Sequence, residues 1–215
     1  GPSAISAVTY GTKKIKPVNK VIGPGNQFVS AAKKEVSGDI GIEAMTAGPS
    51  EVLIVADKSS NPEWLASDLL GQAEHDQLAQ CILISKDKNI LEKTKKEVFE
   101  QLKNLPRSSI AKKSLMMNGI LIYANSDKKI IEITNKIGPE HLELNVKNYK
   151  SFVAKIKNAG SVCLGKYAVM AMTDYGAPGS NHVLPTDSSS KYSSGLNVSE
   201  FMKKISYITL SKKGI

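Results

Sequence analysis

The sequence contains little arginine, and this shortage argues against a nucleic-acid partner. Only one of the 29 basic residues is arginine, Arg107, although the net charge is +9. Bidentate guanidinium contacts to phosphates and bases are therefore almost excluded. The lysines are scattered among Glu and Asp, and no aromatic residues alternate with them to stack bases. We expect no nucleic-acid partner.

Long apolar runs and cysteines are also scarce. No run approaches the roughly 18 to 20 apolar residues that span a bilayer, and the first residues lack a signal-peptide pattern. We therefore expect no membrane partner and a cytoplasmic location. The two cysteines, Cys81 and Cys163, lie in apolar runs, where a small buried side chain is a better interpretation than a disulfide.

The rest of the composition is that of a globular protein with one or two domains: 215 residues, 41% hydrophobic and 23% charged. Two helices are predicted between the strands. One begins at Asn61-Pro62, and the other extends over 88–105. Strands joined by helices predict an α/β fold with a largely parallel sheet flanked by helices, an incomplete Rossmann-like arrangement, and ligands beyond the carboxyl ends of the strands. Apolar β-branched runs predict strands buried on both faces at 18–22, 51–56, 80–85, 119–123 and 161–164.

Two segments carry less structural information. The Ser-rich stretch T-D-S-S-S-K-Y-S-S-G after Pro185 is typical of an exposed loop, and a mixed apolar pattern resumes at 198–208. The opening Gly1-Pro2-Ser3 is typical of residues left by a cleaved affinity tag, so it contributes little to the argument.

The three histidines all stand beside polar residues, in Glu74-His75-Asp76, Glu140-His141 and Asn181-His182. One such placement is typical of a surface residue, but three out of three favour a shared site. Gln72 and His75 are three apart near a helix end, a spacing suited to two ligands of one metal. They are equally typical of a hydrated helix end.

Glu140 and His141 follow a Gly-Pro turn, and adjacent acid and imidazole groups suit two proton-transfer roles. The same residues are also consistent with a helix start, where Glu140 would face the positive end of the dipole. Asp174 and His182 lie in a Gly- and Pro-rich irregular loop of a kind that is more often functional than inert. Asp174 offers a carboxylate that would complete a ligand set with Gln72 and His75.

Two glycine-containing turns remain. The G-P-G-N turn at 23–26 follows a strand and precedes a helix, so its amides and the Asn26 side chain are candidates to receive a polar or phosphate-bearing ligand. Ser50 ends A-G-P-S directly before a strand. A nucleophilic role for Ser50 is a poor interpretation, since the nucleophile elbow places serine after the strand.

Five motifs in order resemble the signature segments of the histidinol dehydrogenase family. They are V-I-G-P-G-N, A-G-P-S-E-V-L-I-V-A-D, D-L-L-G-Q-A-E-H-D, G-P-E-H-L-E-L and N-H-V-L-P-T. The resemblance covers nearly the whole chain. It implies the NAD-dependent oxidation of L-histidinol to L-histidine through an aldehyde, the last step of histidine biosynthesis, with Zn²⁺ orienting the substrate.

The resemblance also implies roles for individual residues. His141 would take the alcohol proton and Glu140 would activate water to attack the aldehyde. Asn26 matches a position that contacts NAD. Gln72, His75 and Asp174 match zinc ligands. The implied substrate-binding residues are Ser50, Gln72, His75, His141, Asp174 and His182.

The resemblance implies a homodimer in which each chain is about twice as long as this one. A zinc-binding histidine and a substrate-binding glutamate would come from a C-terminal segment of the neighbouring subunit, and a further NAD-contacting position falls on Ser3. We divide the chain into the second half of a split cofactor-side α/β domain (1–49), a main α/β domain with the zinc and acid/base residues (50–187), and a loop with the start of a C-terminal segment (188–215). We expect a folded core with little or no turnover.

Two other functions compete with this one. A truncated, non-catalytic fragment would still bind zinc or the substrate. A zinc hydrolase would use a metal-bound water with Glu140 as the base.

Overall fold

The computed structural model describes residues 1–23, 25–43, 48–175 and 183–214. A small unit comes first, with α1 (Pro2–Tyr10), β1 (Lys20–Val21), α2 (Gln27–Glu35) and β2 (Gly41–Ile42). Its two strands are parallel, and Ile5, Val36 and Ile40 form a core of its own. Helix α1 begins at Pro2, and the interpretation of the first three residues as a tag remnant stays a prediction.

The main unit is a five-stranded parallel sheet with helices on both faces. Its strands run in the order β5-β4-β3-β6-β7, so the connection from β5 to β6 returns across the sheet. The strands are β3 (Glu51–Ala56), β4 (Gln80–Ser85), β5 (Gly119–Tyr123), β6 (His141–Asn145) and β7 (Ser161–Leu164). The helices are α3 (Pro62–Ala73), α4 (Lys88–Leu102), α5 (Ser108–Asn118), α6 (Asp127–Ile137), α7 (Lys150–Val153) and α8 (Met170–Asp174), followed by 3₁₀ turns at Ser189–Lys191 and Val198–Phe201. This arrangement confirms the predicted α/β class.

Local sequence explains where the crossover helices begin and end. Asn61 caps α3 by accepting the Glu63 N–H, and Pro62 occupies the first turn, where a missing N–H costs nothing. Ser126 caps α6 in the same way, through the Lys129 N–H. Gly138 ends α6 in the left-handed conformation, with φ of 61°.

Two apolar layers pack on the two faces of β3, the central strand. On one face, Val52 and Ile54 pack against α3. On the other face, Leu53 and Val55 belong to the same apolar cluster as residues of β6 and α6. All six residues of β3 are buried, as predicted for a strand covered on both faces. The same prediction is wrong for the two edge strands, β5 and β7, whose residues are mostly not buried, and for β1, whose two residues are only partly buried.

The sequence did not identify β6, which is a strand and not the helix start that was one interpretation of Glu140-His141. The polar pattern His-Leu-Glu-Leu-Asn obscured a central strand, because its polar side chains share one face. Both cysteines are free and buried, as predicted. Within the described ranges, no helix is long and apolar enough to cross a membrane. The domain division at residues 49 and 187 stays a prediction.

Candidate functional site

A cavity of about 590 Å³ lies between the small unit and the main sheet. The small unit contributes Gly23, Gly25, Lys33 and Glu43 to its wall. Five of the predicted site residues line it as well, namely Ser50, Gln72, His75, Glu140 and His141. Residues that are far apart in the sequence, from Gly23 to Thr186, therefore line one cavity.

The cavity is at the amino edge of the main sheet. Ser50 directly precedes β3, and Glu140 directly precedes β6. Gln72 and His75 lie at the end of α3, the helix that returns the chain to this edge before β4 begins. The expectation that the ligand site lies beyond the carboxyl ends of the strands is therefore wrong for these residues.

Glu140 is held against the neighbouring strand by two backbone contacts. Its Oε2 accepts the N–H of Glu51 at 3.0 Å, and its own N–H donates to Glu51 Oε2 at 3.3 Å. The parallel pairing of β3 with β6 brings the two residues side by side, since Val52 pairs with His141. This reciprocal arrangement fixes the orientation of the Glu140 carboxyl group.

The surroundings of Glu140 also raise the pKa of its carboxyl group. Burial raises the pKa of Glu140 to about 7, and the negative charge of Glu51 adds to the rise. Hydrogen bonds from the Glu51 N–H and the Ser50 side chain oppose the rise, because they favour the charged form. A carboxyl group with a pKa near neutrality can both accept and release a proton at physiological pH.

His141 lies beside this carboxyl group. Its Nε2 is 3.7 Å from Glu140 Oε1, and its Nδ1 is 3.4 Å from the hydroxyl of Ser161, on the adjacent strand β7. The two predicted proton-transfer groups therefore share one end of the cavity. The hydroxyl of Ser161 holds the far side of the ring, so Nε2 is the nitrogen on the Glu140 side.

The predicted metal ligands are only partly described. Gln72 and His75 both line the cavity, which brings an amide oxygen and an imidazole nitrogen to one wall. Asp174 ends α8, but its side chain lies outside the described part of the structure, as does the whole of His182. Among the described residues no group of three or more His, Cys, Asp or Glu side chains could hold a metal ion. The donors that are described fit an N/O-coordinated cation such as zinc.

Asn26 has a structural role in the described chain. Its Oδ1 accepts the N–H groups of Phe28 and Val29, each at 3.2 Å, and so caps α2. The predicted order of strand, G-P-G-N turn and helix is confirmed, and Gly23 and Gly25 line the cavity. Both capping hydrogen bonds use the side-chain oxygen of Asn26.

The Ser-rich segment is not the exposed loop that was predicted, because three of its residues near the start, Thr186, Ser189 and Ser190, are buried. The Ser188 and Ser190 hydroxyls donate to the carbonyls of Ile137 and Gly138 at 2.6 and 2.9 Å. These carbonyls end α6 and need partners, which the hydroxyls supply. The segment thereby holds the turn that leads to Glu140.

The sequence analysis missed several residues in or next to the cavity. Glu51 and Ser161 orient Glu140 and His141, but each is an ordinary strand residue in the sequence. Lys33 and Glu43 form a buried ion pair in the small unit, and Lys33 Nζ also donates to the Gly23 carbonyl. No local pattern distinguishes this pair from surface charges, since only the tertiary fold buries it.

Comparisons with known proteins agree on one family. The family model for histidinol dehydrogenase matches residues 1–215. Histidinol dehydrogenase of Pelagibacter ubique is 74% identical over all of this chain and 50% of the relative, and that of Listeria monocytogenes is 46% identical over the same shares. The crystal structure of histidinol dehydrogenase from Elizabethkingia anophelis superposes with a TM-score of 0.92 at 44% identity, over 98% of this chain and 48% of that one. The chain spans about half the length of the curated relatives it matches.

Proposed function

The chain belongs to the histidinol dehydrogenase family, and from this premise we propose that it carries the acid/base pair and zinc ligands of an enzyme that oxidises L-histidinol to L-histidine. The oxidation takes two NAD-dependent steps through the aldehyde, as the last step of histidine biosynthesis in the cytoplasm. The observation that carries this proposal is the adjacency of Glu140 and His141 in a cavity also lined by Gln72 and His75.

The two steps need different proton transfers, and the pair can divide them. In the first step His141 Nε2 takes the hydroxyl proton of the alcohol. In the second step the Glu140 carboxylate takes a proton from the water that attacks the aldehyde. Glu140 Oε2 accepts the hydrogen bond from the Glu51 N–H. Oε1, on the His141 side, is therefore the oxygen that accepts the proton from water.

Bound NAD would take up the electrons of each oxidation, and bound zinc would hold the amine and imidazole nitrogens of the substrate. The residues proposed to hold zinc are Gln72, His75 and Asp174. Ser50 and His182 are proposed to contact the substrate, together with His141, and Asn26 is proposed to contact NAD. In the complete protein we propose a homodimer in which the partner supplies a further zinc ligand.

A chimera tests this function without depending on the length of the chain. In the chimera these 215 residues replace the matching half of the relative that is 74% identical. We expect NADH formation from L-histidinol, measured by absorbance, with loss of at least about a hundredfold in Glu140→Gln and His141→Asn. A folded, zinc-loaded chimera that forms no NADH would contradict the proposal.

The competing functions give different results. If the isolated chain binds zinc but only the chimera forms NADH, the chain alone is a non-catalytic binding fragment. Zinc-dependent, NAD-independent hydrolysis of a generic ester, lost in Glu140→Gln, would instead identify a hydrolase.

A further inference from the structure

Asp68 and Glu143 form a pair of carboxyl groups to which the proposed chemistry assigns no role. Glu143 lies in β6, two residues after His141 and on the same face of the strand, and is only 1% exposed. Asp68 lies on α3, one turn before Gln72 and on the same helix face. The two carboxyl groups interact with each other, and one oxygen of each is buried without a hydrogen-bond partner among the described residues. They therefore connect the helix of Gln72 with the strand of His141.

The contact between them requires a proton. Two ionised carboxylates only accept hydrogen bonds, so a carboxyl–carboxyl hydrogen bond forms when one of the pair is protonated. Within the part of the chain that the structure describes, Asp68 Oδ2 and Glu143 Oε2 are both buried and receive no N–H or O–H donor. Burial raises the pKa of both groups, and the charge of Asp68 adds to the rise for Glu143. One proton between the two buried oxygens satisfies both.

A third element is attached to the same pair. Glu143 Oε1 accepts the backbone N–H of Met170, the first residue of α8, at 2.8 Å. Helix α8 ends at Asp174, the third proposed zinc ligand. The ring contact between Trp64 and Tyr167, with centroids 5.9 Å apart, joins α3 to the segment before α8 as well.

We propose that Asp68 and Glu143 share one proton and are positioning residues, which hold α3, β6 and α8 in the arrangement that brings Gln72, His75 and Asp174 to one metal ion. The inference rests on the proposed function, because the metal ligands are themselves proposed. Neither carboxyl group binds the metal. Asp68 acts through α3, which carries Gln72, and Glu143 acts through its hydrogen bond from the N–H of Met170 at the start of α8.

Two substitutions of similar size separate this role from simple packing. Glu143→Gln keeps an acceptor for the Met170 N–H and supplies an N–H donor to Asp68. Both contacts of residue 143 are therefore kept without the shared proton. Glu143→Leu removes both contacts but suits an apolar environment, since Glu143 pairs with Ile54 and Cys163 in the neighbouring strands. Leucine leaves the Asp68 carboxyl group without its partner and so lowers the stability of the fold, which is why folding of the variant has to be checked separately from zinc affinity. A merely structural role would therefore leave zinc affinity unchanged in a folded Glu143→Leu variant.

The measurement is zinc affinity of the 215-residue chain by competition with a chromogenic chelator. We expect Glu143→Gln to stay within about threefold of wild type and Glu143→Leu to lose about 10- to 100-fold, with circular dichroism confirming that both fold. In parallel, difference infrared spectroscopy of the wild type at neutral pH should show a protonated carboxyl band that both Glu143→Gln and Asp68→Asn abolish.

Equal zinc affinity in Glu143→Leu and wild type would overturn the proposal, as would a Glu143→Gln variant as weak as Glu143→Leu or a missing infrared band. NADH formation by the zinc-loaded chimera decides the proposed function separately. A chimera that turns over with unchanged zinc affinity in Glu143→Leu would leave the function standing and remove only the role of the pair.

Discussion

Glu140 combines two properties that an acid/base residue needs, a held orientation and a pKa near neutrality. The orientation comes from the Glu51 N–H, and the pKa comes from burial next to a second carboxyl group. Burial also has a cost, because the folded protein disfavours the charged form of Glu140 relative to the unfolded chain. The acid/base role therefore reduces stability at pH values where Glu140 is ionised.

Glu140→Gln should stabilise the chain at alkaline pH. The pKa of Glu140 is raised from 4.5 to about 7, so its stabilising contribution is complete below about pH 4.5 and is lost as the pH rises to about 7. Glutamine is neutral and keeps an acceptor for the Glu51 N–H. We expect the free energy of unfolding to rise by about 1 to 3 kcal/mol at pH 8 and to change little at pH 4.

Urea unfolding at the two pH values measures this effect. The matched control is Glu92→Gln, an exposed position on α4, which should change the free energy by less than about 0.5 kcal/mol. A Glu140→Gln variant less stable than wild type at pH 8 would show that the carboxylate is stabilising in the fold.

The same pKa predicts how turnover depends on pH. Water activation needs the carboxylate form of Glu140, so kcat/KM of the chimera with the aldehyde as substrate should rise about tenfold per pH unit below pH 7 and level off above it. The ratio kcat/KM is the proper quantity, because it reports the free enzyme. A profile that is flat from about pH 5.5 to 8 would rule out Glu140 as the base.

At the scale of elements, the turn between α6 and β6 places the acid/base pair. Gly138 ends the helix in the left-handed region, and the Ser188 and Ser190 hydroxyls hold the last carbonyls. A Cβ at Gly138 would lie 2.7 Å from Ser190 Oγ. Glycine is therefore required at this position both by the backbone conformation and by the approach of the Ser-rich segment.

Gly138→Ala should lower the free energy of unfolding by about 1 to 3 kcal/mol, through left-handed strain and displacement of Ser190. Gly71→Ala is a matched control that should change the free energy of unfolding in the opposite direction. Gly71 lies inside α3, where an added Cβ would meet no atom within 4 Å, so alanine should stabilise by about 0.5 to 1 kcal/mol. Chemical denaturation of the two variants compares them directly, and equal shifts would contradict the role of the turn.

At the scale of the whole molecule, the cavity depends on both units. Lys33, Glu43 and the glycines of the G-P-G-N turn face the residues of the main sheet across it. The buried ion pair of Lys33 and Glu43 shapes the small-unit side of the cavity. A ligand that bridges the two walls should stabilise the entire fold.

Zinc should raise the free energy of unfolding of the wild-type chain by about 2.7 kcal/mol at a free concentration of about 100 times Kd, because the proposed ligands come together only in the folded state. Gln72→Ala and His75→Ala should lose most of the gain, whereas His141→Asn, which removes no proposed ligand, should keep it. Differential scanning calorimetry with zinc measures the gain in stability, and a second scan with excess EDTA measures its loss when zinc is removed. An undiminished gain in His75→Ala would exclude that residue as a ligand.

Elements with a strong local pattern were predictable from the sequence. The buried run at 51–56 and the capped helix from Pro62 depend on neighbouring residues, so their positions were predicted almost residue for residue. The ordered motifs identified the family for the same reason, since each is a short contiguous segment. The polar strand β6 was missed, because its burial comes from β3 and α3 and not from its own composition.

The sequence by itself determined the α/β class, the family and the residue types available for proton transfer and metal binding, because these follow from local patterns. Only the tertiary structure decided that the site lies at the amino edge of the sheet, that Glu51 orients Glu140 across 89 positions of sequence, and that Asp68 meets Glu143. The physical reason is that strand order and helix packing bring distant residues together and bury them. Burial then changes their pKa values and their hydrogen-bonding needs, which no local pattern encodes.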